Sequence, residues 1–239
     1  MKETHKNLQE EYLSIIKSVE DHLRYAQEMG MEGMPARPAP PPVSSEETGC
    51  QTLEAVRDRL GECQRCKLHS TRTQIVFGTG SPQPDLVFVG EAPGEEEDLQ
   101  GKPFVGKAGR LLTKMIEAMG LTRNDIYIAN IVKCRPPKNR NPETDEINAC
   151  SPFLAAQLSV LKPKVICTLG TFASQTLLNT EEKISKLRGR FHLIQGVKVM
   201  PTYHPAYLLR NPSEKKTVWE DIQIIMRELN LEVRKEKDK

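Results

Sequence analysis

The sequence predicts a three-layer αβα fold around a central, mainly parallel sheet, with a helical appendage at the N-terminus. Short apolar runs typical of buried strands alternate along the chain with longer segments that have helical periodicity. A stretch rich in proline precedes this alternation and separates it from the first helical segment. Strands that alternate with helices form parallel sheets covered on both faces, and such folds bind ligands at the carboxyl ends of their strands.

The first segment, residues 1–30, is predicted to form an amphipathic helix. Its apolar side chains share one stripe at helical spacing: Leu8, Tyr12, Ile15 or Ile16, Val19 and Leu23. Residues 31–49 are rich in proline and small polar residues, which predicts an extended linker. The helix could dock on a protein partner, on another copy of itself or on the main domain, or it could have no special role.

The main domain is predicted over residues 50–230, followed by a charged tail at 231–239. A short helix leads into a Cys-x2-Cys turn. The elements that follow are, in order, a strand at 85–90, a helix at 108–120, a strand at 125–132, a helical region at 142–161, a strand at 163–170, a helical segment at 171–178, a hairpin turning at Gln195 and Gly196, and a helix near 214–229. Pro142 suits a helix start, and we expect Pro152 to kink or split the helical region.

Composition and charge exclude several classes of protein. A length of 239 residues suffices for one sizeable α/β domain and an appendage, and a net charge of +2 does not by itself indicate a nucleic-acid partner. Basic clusters such as KCRPPKNR and KLRGR are solvated surface unless the fold gathers them on one face. No apolar run approaches the roughly 20 residues that span a bilayer, and the N-terminus lacks a signal-peptide core. We therefore expect a cytoplasmic monomer without a membrane partner.

Cysteine spacing indicates a metal or cluster site. Disulfides are rare in a reducing cytoplasm, so the six cysteines are first considered as ligands. Cys63 and Cys66 form a Cys-x2-Cys turn, and Cys134 and Cys150 flank a basic, proline-containing loop. Four thiolates suit either structural zinc or an iron–sulfur cluster, and the spacing does not choose between them. Cys167 is expected to be a buried apolar residue, and Cys50 has no evident partner.

The loop at residues 90–106 reads GEAPGEEEDLQGKPFVG and follows the first strand of the alternation. Neither the dinucleotide pattern G-x-G-x-x-G nor the P-loop pattern is present, which argues against a nucleotide cofactor. What remains is exposed backbone N–H groups, an acid at Glu91 and an aromatic ring at Phe104. Asn130 ends the next strand and His204 lies on the same rim. These groups suit a flat, neutral ligand with hydrogen-bonding edges, such as a nucleobase.

Four separated segments resemble the family 4 uracil-DNA glycosylases, which are iron–sulfur enzymes of base-excision repair. The segments are GEAPGEEEDLQGKPFVGKAGRLL, YIANIVKCRPPKNRNP, an LG after a strand, and HPAYLLRNP. The resemblance covers roughly residues 63–229 in the order of the family. It does not cover the N-terminal helix or the proline-rich linker.

The resemblance implies uracil-containing DNA as the substrate and a [4Fe–4S] cluster as the cofactor. The implied cluster ligands are Cys63, Cys66, Cys134 and Cys150. The implied uracil-binding residues are Gly90, Glu91, Ala92, Gly94, Phe104, Asn130 and His204. Phe104 would stack on the base, and Asn130 would read its Watson–Crick edge and exclude cytosine, whose amino group would face the amide donor at a cost of about 1–3 kcal/mol. Taken singly, Phe104 could instead be a packed aromatic, Asn130 a strand-end cap and His204 a structural histidine.

Glu91 and His204 are the catalytic residues that the resemblance implies. His204 and backbone N–H groups near Gly90 and Glu91 would stabilise negative charge on the departing uracil, while Glu91 would position or activate water or favour the cationic sugar. The base must first leave its stack, because its glycosidic bond is inaccessible inside a duplex. Glu97 is a further candidate, although a row of acids is also typical of a solvated helix start.

The predicted DNA contacts come from two segments. They are Leu208, Arg210 and Asn211 in HPAYLLRNP, and Lys138 and Arg140 in the loop between Cys134 and Cys150. A leucine could fill the gap left by the flipped base, with the polar residues on the phosphates. Leu208 and Leu209 could instead both pack in the core.

Three alternatives remain at this level. One is a protein that captures uracil-DNA without turnover; its known covalent form uses a histidine in a basic insertion after the second strand, and this chain has no such histidine. Another is an iron–sulfur or zinc interaction module attached to the replication machinery, which leaves the residues gathered on the rim unexplained. The third is a glycosylase with a broader base preference.

Overall fold

The computed structural model describes residues 50–232. The predicted N-terminal helix at 1–30, the linker at 31–49 and all but the first two residues of the tail lie outside the described residues. They therefore stay predictions.

A six-stranded mixed sheet forms the centre of the fold. Its strands are β1 (Thr79–Gly80), β2 (Leu86–Gly90), β3 (Tyr127–Asn130), β4 (Val165–Leu169), β5 (His192–Ile194) and β6 (Val197–Thr202). They lie in the order β1-β3-β2-β4-β6-β5. The four inner strands are parallel, and the short outer strands β1 and β5 pair antiparallel at the two edges.

Eight α-helices connect and cover these strands in the described part of the chain. They are α1 (Leu53–Leu60), α2 (Glu95–Gln100), α3 (Lys107–Ala118), α4 (Thr144–Leu161), α5 (Thr171–Leu178), α6 (Ile184–Leu187), α7 (Pro205–Arg210) and α8 (Lys215–Glu228). Short 3₁₀ turns form at Lys67–Ser70, Pro137–Asn139 and Pro212–Glu214. No helix in this range is long and apolar enough to cross a bilayer.

The sheet has a separate core on each face, because successive side chains of a strand point to opposite sides. Val87 and Val89 of β2 belong to one core, which includes Val56 of α1 and Leu154 of α4. Leu86 and Phe88 belong to the other, which includes residues of α3 and α8, among them Leu112, Ile116, Val218 and Ile222. Helices thus pack on both faces, and the predicted αβα fold is confirmed.

Local sequence signals explain several element boundaries. The side chain of Thr52 accepts a hydrogen bond from the Ala55 N–H at 3.1 Å and begins α1. Glu143 and Glu146 form a capping box at the start of α4. The hairpin turns at Gln195 and Gly196, with φ of 49° and 82°, as expected for a two-residue turn with both central residues in the left-handed region.

The structure corrects the expectation about Pro152 in α4 and shortens the strand predicted over 125–132. The helix continues through Pro152 as one element of 18 residues, so Pro152 does not split it. The buried segment predicted as a strand over 125–132 is regular only at Tyr127–Asn130. Beyond it, the amides of Ile131 and Val132 still donate to the carbonyls of Gly90 and Glu91 at 2.9 and 3.1 Å, so the chain stays in register with β2 past the end of the strand.

Candidate active site

The predicted site residues meet at the carboxyl ends of the parallel strands. Gly90 is the last residue of β2, and Asn130 is the last residue of β3 and pairs with it in register. His204 follows β6 by two residues and precedes α7. The topology therefore brings three distant segments to one rim, as the sequence predicted.

Gly90 leaves a narrow space that a side chain would fill. A Cβ atom on Gly90 would lie 2.4 Å from Asn130 Oδ1 and 2.6 Å from two ring atoms of Phe104. Asn130 is buried, with 1% of its surface exposed. Its Oδ1 is the buried side-chain atom that lacks a hydrogen-bond partner within residues 50–232. A buried acceptor without a partner is costly, so this oxygen is available to a ligand donor.

His204 faces Phe104 across the site. Their ring centroids are 5.6 Å apart, with the ring planes tilted by 34°. The Nδ1 atom of His204 accepts a hydrogen bond from the Ala206 N–H at 3.1 Å, so in the neutral ring the proton is on Nε2. Burial, aided by the charge of Arg210, lowers the pKa of His204 to about 4. The imidazole is therefore neutral near pH 7 and available as an N–H donor.

Glu91 directly follows Gly90 and is partly buried. Desolvation raises the pKa of its carboxyl group to about 7. A carboxylate with this pKa can accept a proton near neutral pH. Ala92 and Gly94 are also partly buried in the same loop, and Gly94 is the N-cap of α2.

The segment that carries Phe104 is fixed by side chains from two other elements. The Glu97 carboxylate accepts hydrogen bonds from the amides of Val105 and Gly106 at 2.9 and 2.8 Å. The Arg123 guanidinium donates to the carbonyls of Phe104 and Pro103 at 3.0 and 2.7 Å. Sequence reasoning considered Glu97 as a catalytic assistant or as part of a solvated helix start. It missed Arg123, which in LTRNDIY is indistinguishable from an exposed turn residue.

The four predicted ligand cysteines line one pocket away from this rim. Cys63 and Cys66 come from the turn after α1, Cys134 from the segment after β3, and Cys150 from α4. Burial raises the pKa of the Cys66 and Cys134 thiols, and that of Cys150 to about 12. Cys167 lies on the other face of the sheet, in the core, as expected.

Nitrogen donors contact three of the four sulfurs. Arg65 donates to Cys63 Sγ at 3.3 Å, Arg72 to Cys134 Sγ at 3.4 Å, and the Lys133 amide to Cys150 Sγ at 3.2 Å. Hydrogen bonds of this kind are typical of sulfurs that ligate iron. Four thiols in one pocket suit either a zinc ion or an iron–sulfur cluster.

Lys133 connects this pocket with the rim. Its side chain is buried, at 1% exposure, and its Nζ donates to the backbone carbonyl of Asn130 at 2.9 Å and to Gln157 Oε1 at 2.6 Å. Gln157 in turn donates to the carbonyl of Phe77 and to the Tyr127 hydroxyl. One residue thus hydrogen-bonds both to Cys150 and to the strand end that carries Asn130.

The structure argues against Leu208 as the wedge. Leu208 is 1% exposed and belongs to the core that contains Leu112 and Val218. Leu209 is 45% exposed on α7, directly after Leu208. Adjacent helical positions point in different directions, and so one leucine packs inward while the other meets solvent.

The predicted phosphate contacts divide into exposed and engaged side chains. Lys138 and Arg210 are exposed. The Arg140 guanidinium instead makes a two-pronged contact with the buried Glu146 carboxylate, at 2.6 and 2.9 Å. Asn211 donates from its side chain to the Tyr207 carbonyl at 3.1 Å, at the end of α7. Arg140 and Asn211 therefore have structural partners that the sequence did not indicate.

The fold and the site together define a class of protein. It is an αβα protein in which the carboxyl ends of parallel strands bring a glycine, an aromatic ring and an unpaired amide oxygen together at one edge. Four cysteines line a separate pocket. This is an α/β protein with a candidate ligand site at the carboxyl edge of its sheet.

Comparison with known proteins specifies the family. The family model of the uracil DNA glycosylase superfamily matches residues 77–223. The chain is 46% identical over 187 residues to the type-4 uracil-DNA glycosylase of Saccharolobus solfataricus, covering 74% of this chain and 87% of that protein. Over 177 residues it is 46% identical to the type-4 uracil-DNA glycosylase of Thermotoga maritima, covering 72% and 92%. The type-5 uracil-DNA glycosylase of Pyrobaculum aerophilum is 28% identical over 176 residues, covering 66% and 77%.

The chain therefore belongs to the uracil DNA glycosylase superfamily and, within it, to the type-4 uracil-DNA glycosylases.

Proposed function

We propose that this protein is a monofunctional uracil-DNA glycosylase. It binds uracil that has flipped out of DNA, hydrolyses the N-glycosidic bond and leaves an abasic site for base-excision repair. The observation that carries the proposal is the unpaired, buried Asn130 Oδ1 beside Phe104 at the carboxyl edge of the sheet. Family membership supports the same reaction.

Base recognition follows from the two sides of this pocket. Asn130 Oδ1 accepts the N3–H of uracil, and the amide nitrogen donates to O4. Cytosine has no hydrogen on N3 and presents an amino donor at position 4, which leaves the asparagine with two mismatched contacts. The Phe104 ring stacks on the base, a contact worth about 1–3 kcal/mol per base.

Bond cleavage is driven by charge stabilisation at both ends of the breaking bond. As the bond between C1′ and N1 breaks, its electron pair moves to uracil and positive charge builds on the sugar. The neutral His204 donates from Nε2 to the uracil oxygen and stabilises the anion, together with backbone N–H groups near Gly90 and Glu91. Because burial keeps its pKa at about 4, His204 acts as a hydrogen-bond donor and not as an acid.

Glu91 serves the opposite side of the reaction. Its carboxylate orients the attacking water, accepts the proton that water loses as the new C1′–O bond forms, and favours the cationic sugar. The pKa of about 7 lets it take up that proton near neutral pH. The departing uracil takes its proton from solvent, so atoms and charge balance.

DNA is held by the exposed residues around the rim. Leu209 enters the stack where the base has left, and Lys138 and Arg210 contact phosphates. Arg140 supports the loop that presents Lys138, through its contact with Glu146. The net charge of +2 is consistent with local contacts of this kind rather than with a field over the whole surface.

The four pocket cysteines, Cys63, Cys66, Cys134 and Cys150, would hold a [4Fe–4S] cluster. The common pocket and the nitrogen donors to three of the sulfurs support this assignment. When bound, the cluster would supply a covalent cross-link between the turn after α1, the end of β3 and α4. The reaction itself needs no nucleotide cofactor, and the expected cellular setting is a cytoplasmic monomer with a partner for the N-terminal helix.

Release of uracil from an oligonucleotide with a single uracil tests the proposed reaction. The readout is strand scission after alkali, with a matched cytosine oligonucleotide and the Glu91→Gln variant as controls. We expect scission at uracil alone, and about a hundredfold or more faster with the unsubstituted protein than with Glu91→Gln. A stable complex without scission would instead favour a uracil-DNA binding protein, and neither binding nor scission would refute both.

A further inference from the structure

Phe104 has a backbone conformation that bulky residues rarely adopt. Its φ is +54°, in the left-handed region. Strained conformations of this kind persist only when surrounding contacts impose them, and they concentrate at functional sites. Phe104 is also 7% exposed and lies against Gly90, so its ring forms a wall of the proposed base pocket. Contacts from Arg123, Glu97 and Gly109 hold this backbone.

Arg123 makes two contacts that act directly on this backbone. One end of its guanidinium donates to the Phe104 carbonyl at 3.0 Å, and the other donates to the Pro103 carbonyl at 2.7 Å. The guanidinium is planar and rigid, so it fixes the two carbonyls relative to one another. A third contact, to Thr113 Oγ1 at 3.3 Å, ties the same group to α3.

Two further contacts close off the other directions. Glu97 accepts from the amides of Val105 and Gly106, immediately after Phe104. Gly109 of α3 lies so close that a Cβ atom there would be 2.0 Å from the Phe104 carbonyl carbon and oxygen. Carbonyl groups are thus held from one side, amides from another, and the helix backbone forms the floor. Arg123 is the member that contacts Phe104 itself through a hydrogen bond.

We infer that Arg123 is a positioning residue for base binding, which imposes the left-handed conformation of Phe104 and so presents its ring as the stacking surface. The inference rests on the proposed function, since it gives the ring a uracil to stack on. Arg123 lies in the turn before β3 and reaches the backbone of Phe104 without contacting the base. Its effect on the reaction must therefore pass through Phe104.

A double-mutant cycle tests this dependence. Arg123→Met removes both donors and keeps an apolar stem, Phe104→Ala removes the ring, and the third protein carries both substitutions. We expect each single variant to lose about tenfold or more in kcat/KM for uracil release, with a parallel rise in the inhibition constant of free uracil. The double variant should lose no more than Phe104→Ala alone, because without the ring Arg123 has nothing left to position. Losses that multiply would overturn the inference, as would an Arg123→Met variant with full activity.

Thr113→Val is the matched control. It removes one acceptor of Arg123 and the Thr113 hydroxyl's hydrogen bond to the Gly109 carbonyl, and it leaves both carbonyl contacts of Arg123 in place. Activity should therefore stay within about twofold of the unsubstituted protein. If Arg123→Met does not fold, Arg123→Lys takes its place in the cycle. A single ammonium cannot reproduce the fork, and we expect the same direction of change.

Hydrogen exchange separates this inference from the proposed function. The amides of Val105 and Gly106 should exchange faster in Arg123→Met than in Thr113→Val, whether or not the protein releases uracil. If the protein does not release uracil but Arg123→Met exchanges faster, the proposed function is refuted. The role of Arg123 in holding the Pro103 and Phe104 backbone is then supported without a role in base stacking. Unchanged exchange at these amides in a protein that does release uracil would overturn only the positioning role of Arg123.

Discussion

At the scale of single residues, the burial of Glu91 gives it a pKa that neutral pH can titrate. The value of about 7, against 4.5 for an ordinary glutamate, arises from desolvation. The pKa of His204 is shifted the other way, to about 4, so the imidazole is neutral around pH 7. The two groups of the proposed reaction are thereby kept in different roles by their surroundings.

This difference predicts the pH profile of uracil release. The charged form of Glu91 is the active one, so kcat/KM should fall about tenfold per pH unit below pH 7 and be level above it. Glu91→Gln should lose about a hundredfold or more at pH 8 and show no acid limb near 7. Rates on a uracil oligonucleotide from pH 5 to 9 measure both; an acid limb that survives in the glutamine variant would remove Glu91 from its role.

The raised pKa of Glu91 that serves the proposed reaction should also lower the free energy of unfolding at neutral pH. Between pH 4.5 and 7 the unfolded chain loses the Glu91 proton while the folded protein keeps it, so this residue makes folding less favourable as pH rises through that window. Glu91→Gln removes that dependence. Its melting temperature relative to the unsubstituted protein should therefore be higher at pH 8 than at pH 4.5, by a few degrees. Equal differences at both pH values would contradict the desolvated carboxyl group.

Gly90 offers a variant that blocks the pocket from within. A methyl group there would lie 2.4 Å from Asn130 Oδ1 and 2.6 Å from the Phe104 ring. Gly90→Ala should therefore abolish uracil release and inhibition by free uracil, while DNA without uracil still binds with the original affinity. The measurements are scission and fluorescence anisotropy, with Gly120→Ala, which has open space at its Cβ but a positive φ, as a comparison for strain alone. Retained uracil release by Gly90→Ala would show that the base lies elsewhere.

At the scale of elements, α7 combines two neighbouring leucines with different tasks. Leu208→Ala empties a core position and should cost about 2–5 kcal/mol of unfolding free energy. Leu209→Ala removes an exposed side chain and should leave the unfolding free energy within about 0.5 kcal/mol. Its expected effect is a loss of activity on duplex uracil that exceeds the loss on single-stranded uracil. Urea unfolding and paired activity assays distinguish the two variants; an equal loss on both substrates would contradict the wedge.

Charged contacts at the start of α4 position Cys150 in the cysteine pocket. Its capping box fixes the first turn, Arg140 and Glu146 join that turn to the preceding loop, and Cys150 then points into the cysteine pocket. Lys67, which directly follows Cys66 and begins the 3₁₀ turn Lys67–Ser70, also pairs with Glu143. These charged contacts therefore join the turn that carries Cys66 to the helix that carries Cys150.

At the scale of the whole molecule, the cysteine pocket joins segments that are far apart in sequence. Cys134→Ser should lose iron and the brown absorbance, and lower the melting temperature and the affinity for DNA. Cys167→Ala is the control, because Cys167 is buried in the opposite core and should keep full iron content. Iron analysis and thermal melts measure the outcome. Unaltered iron and stability in Cys134→Ser would contradict the cluster and its role as a cross-link.

The sequence predicts the layers and the rim because both arise from local patterns. Alternation of strand and helix periods indicates the parallel sheet, and strand ends place Gly90, Asn130 and His204 together. It does not predict Arg123, the burial of Lys133, or which of Leu208 and Leu209 faces solvent. Each of these depends on contacts between segments far apart in sequence, where a charged or apolar side chain has no local signature of its partner. The expectation that Pro152 splits the helical region was wrong for a related reason, because the packing of α4 overrides the local helix-breaking preference of proline.

The order of residues along the chain also sets the order in which the site is made. Proteins emerge from the ribosome from the N-terminus, and Gly90, Phe104 and Asn130 precede Cys150, the last of the pocket cysteines. The strands β2 and β3 that carry the first and last of these pair directly with one another, whereas β6 and His204 arrive later and join through β4. The nascent chain therefore contains Gly90, Phe104 and Asn130, which are proposed to bind the base, before it contains His204, which is proposed to stabilise the departing base.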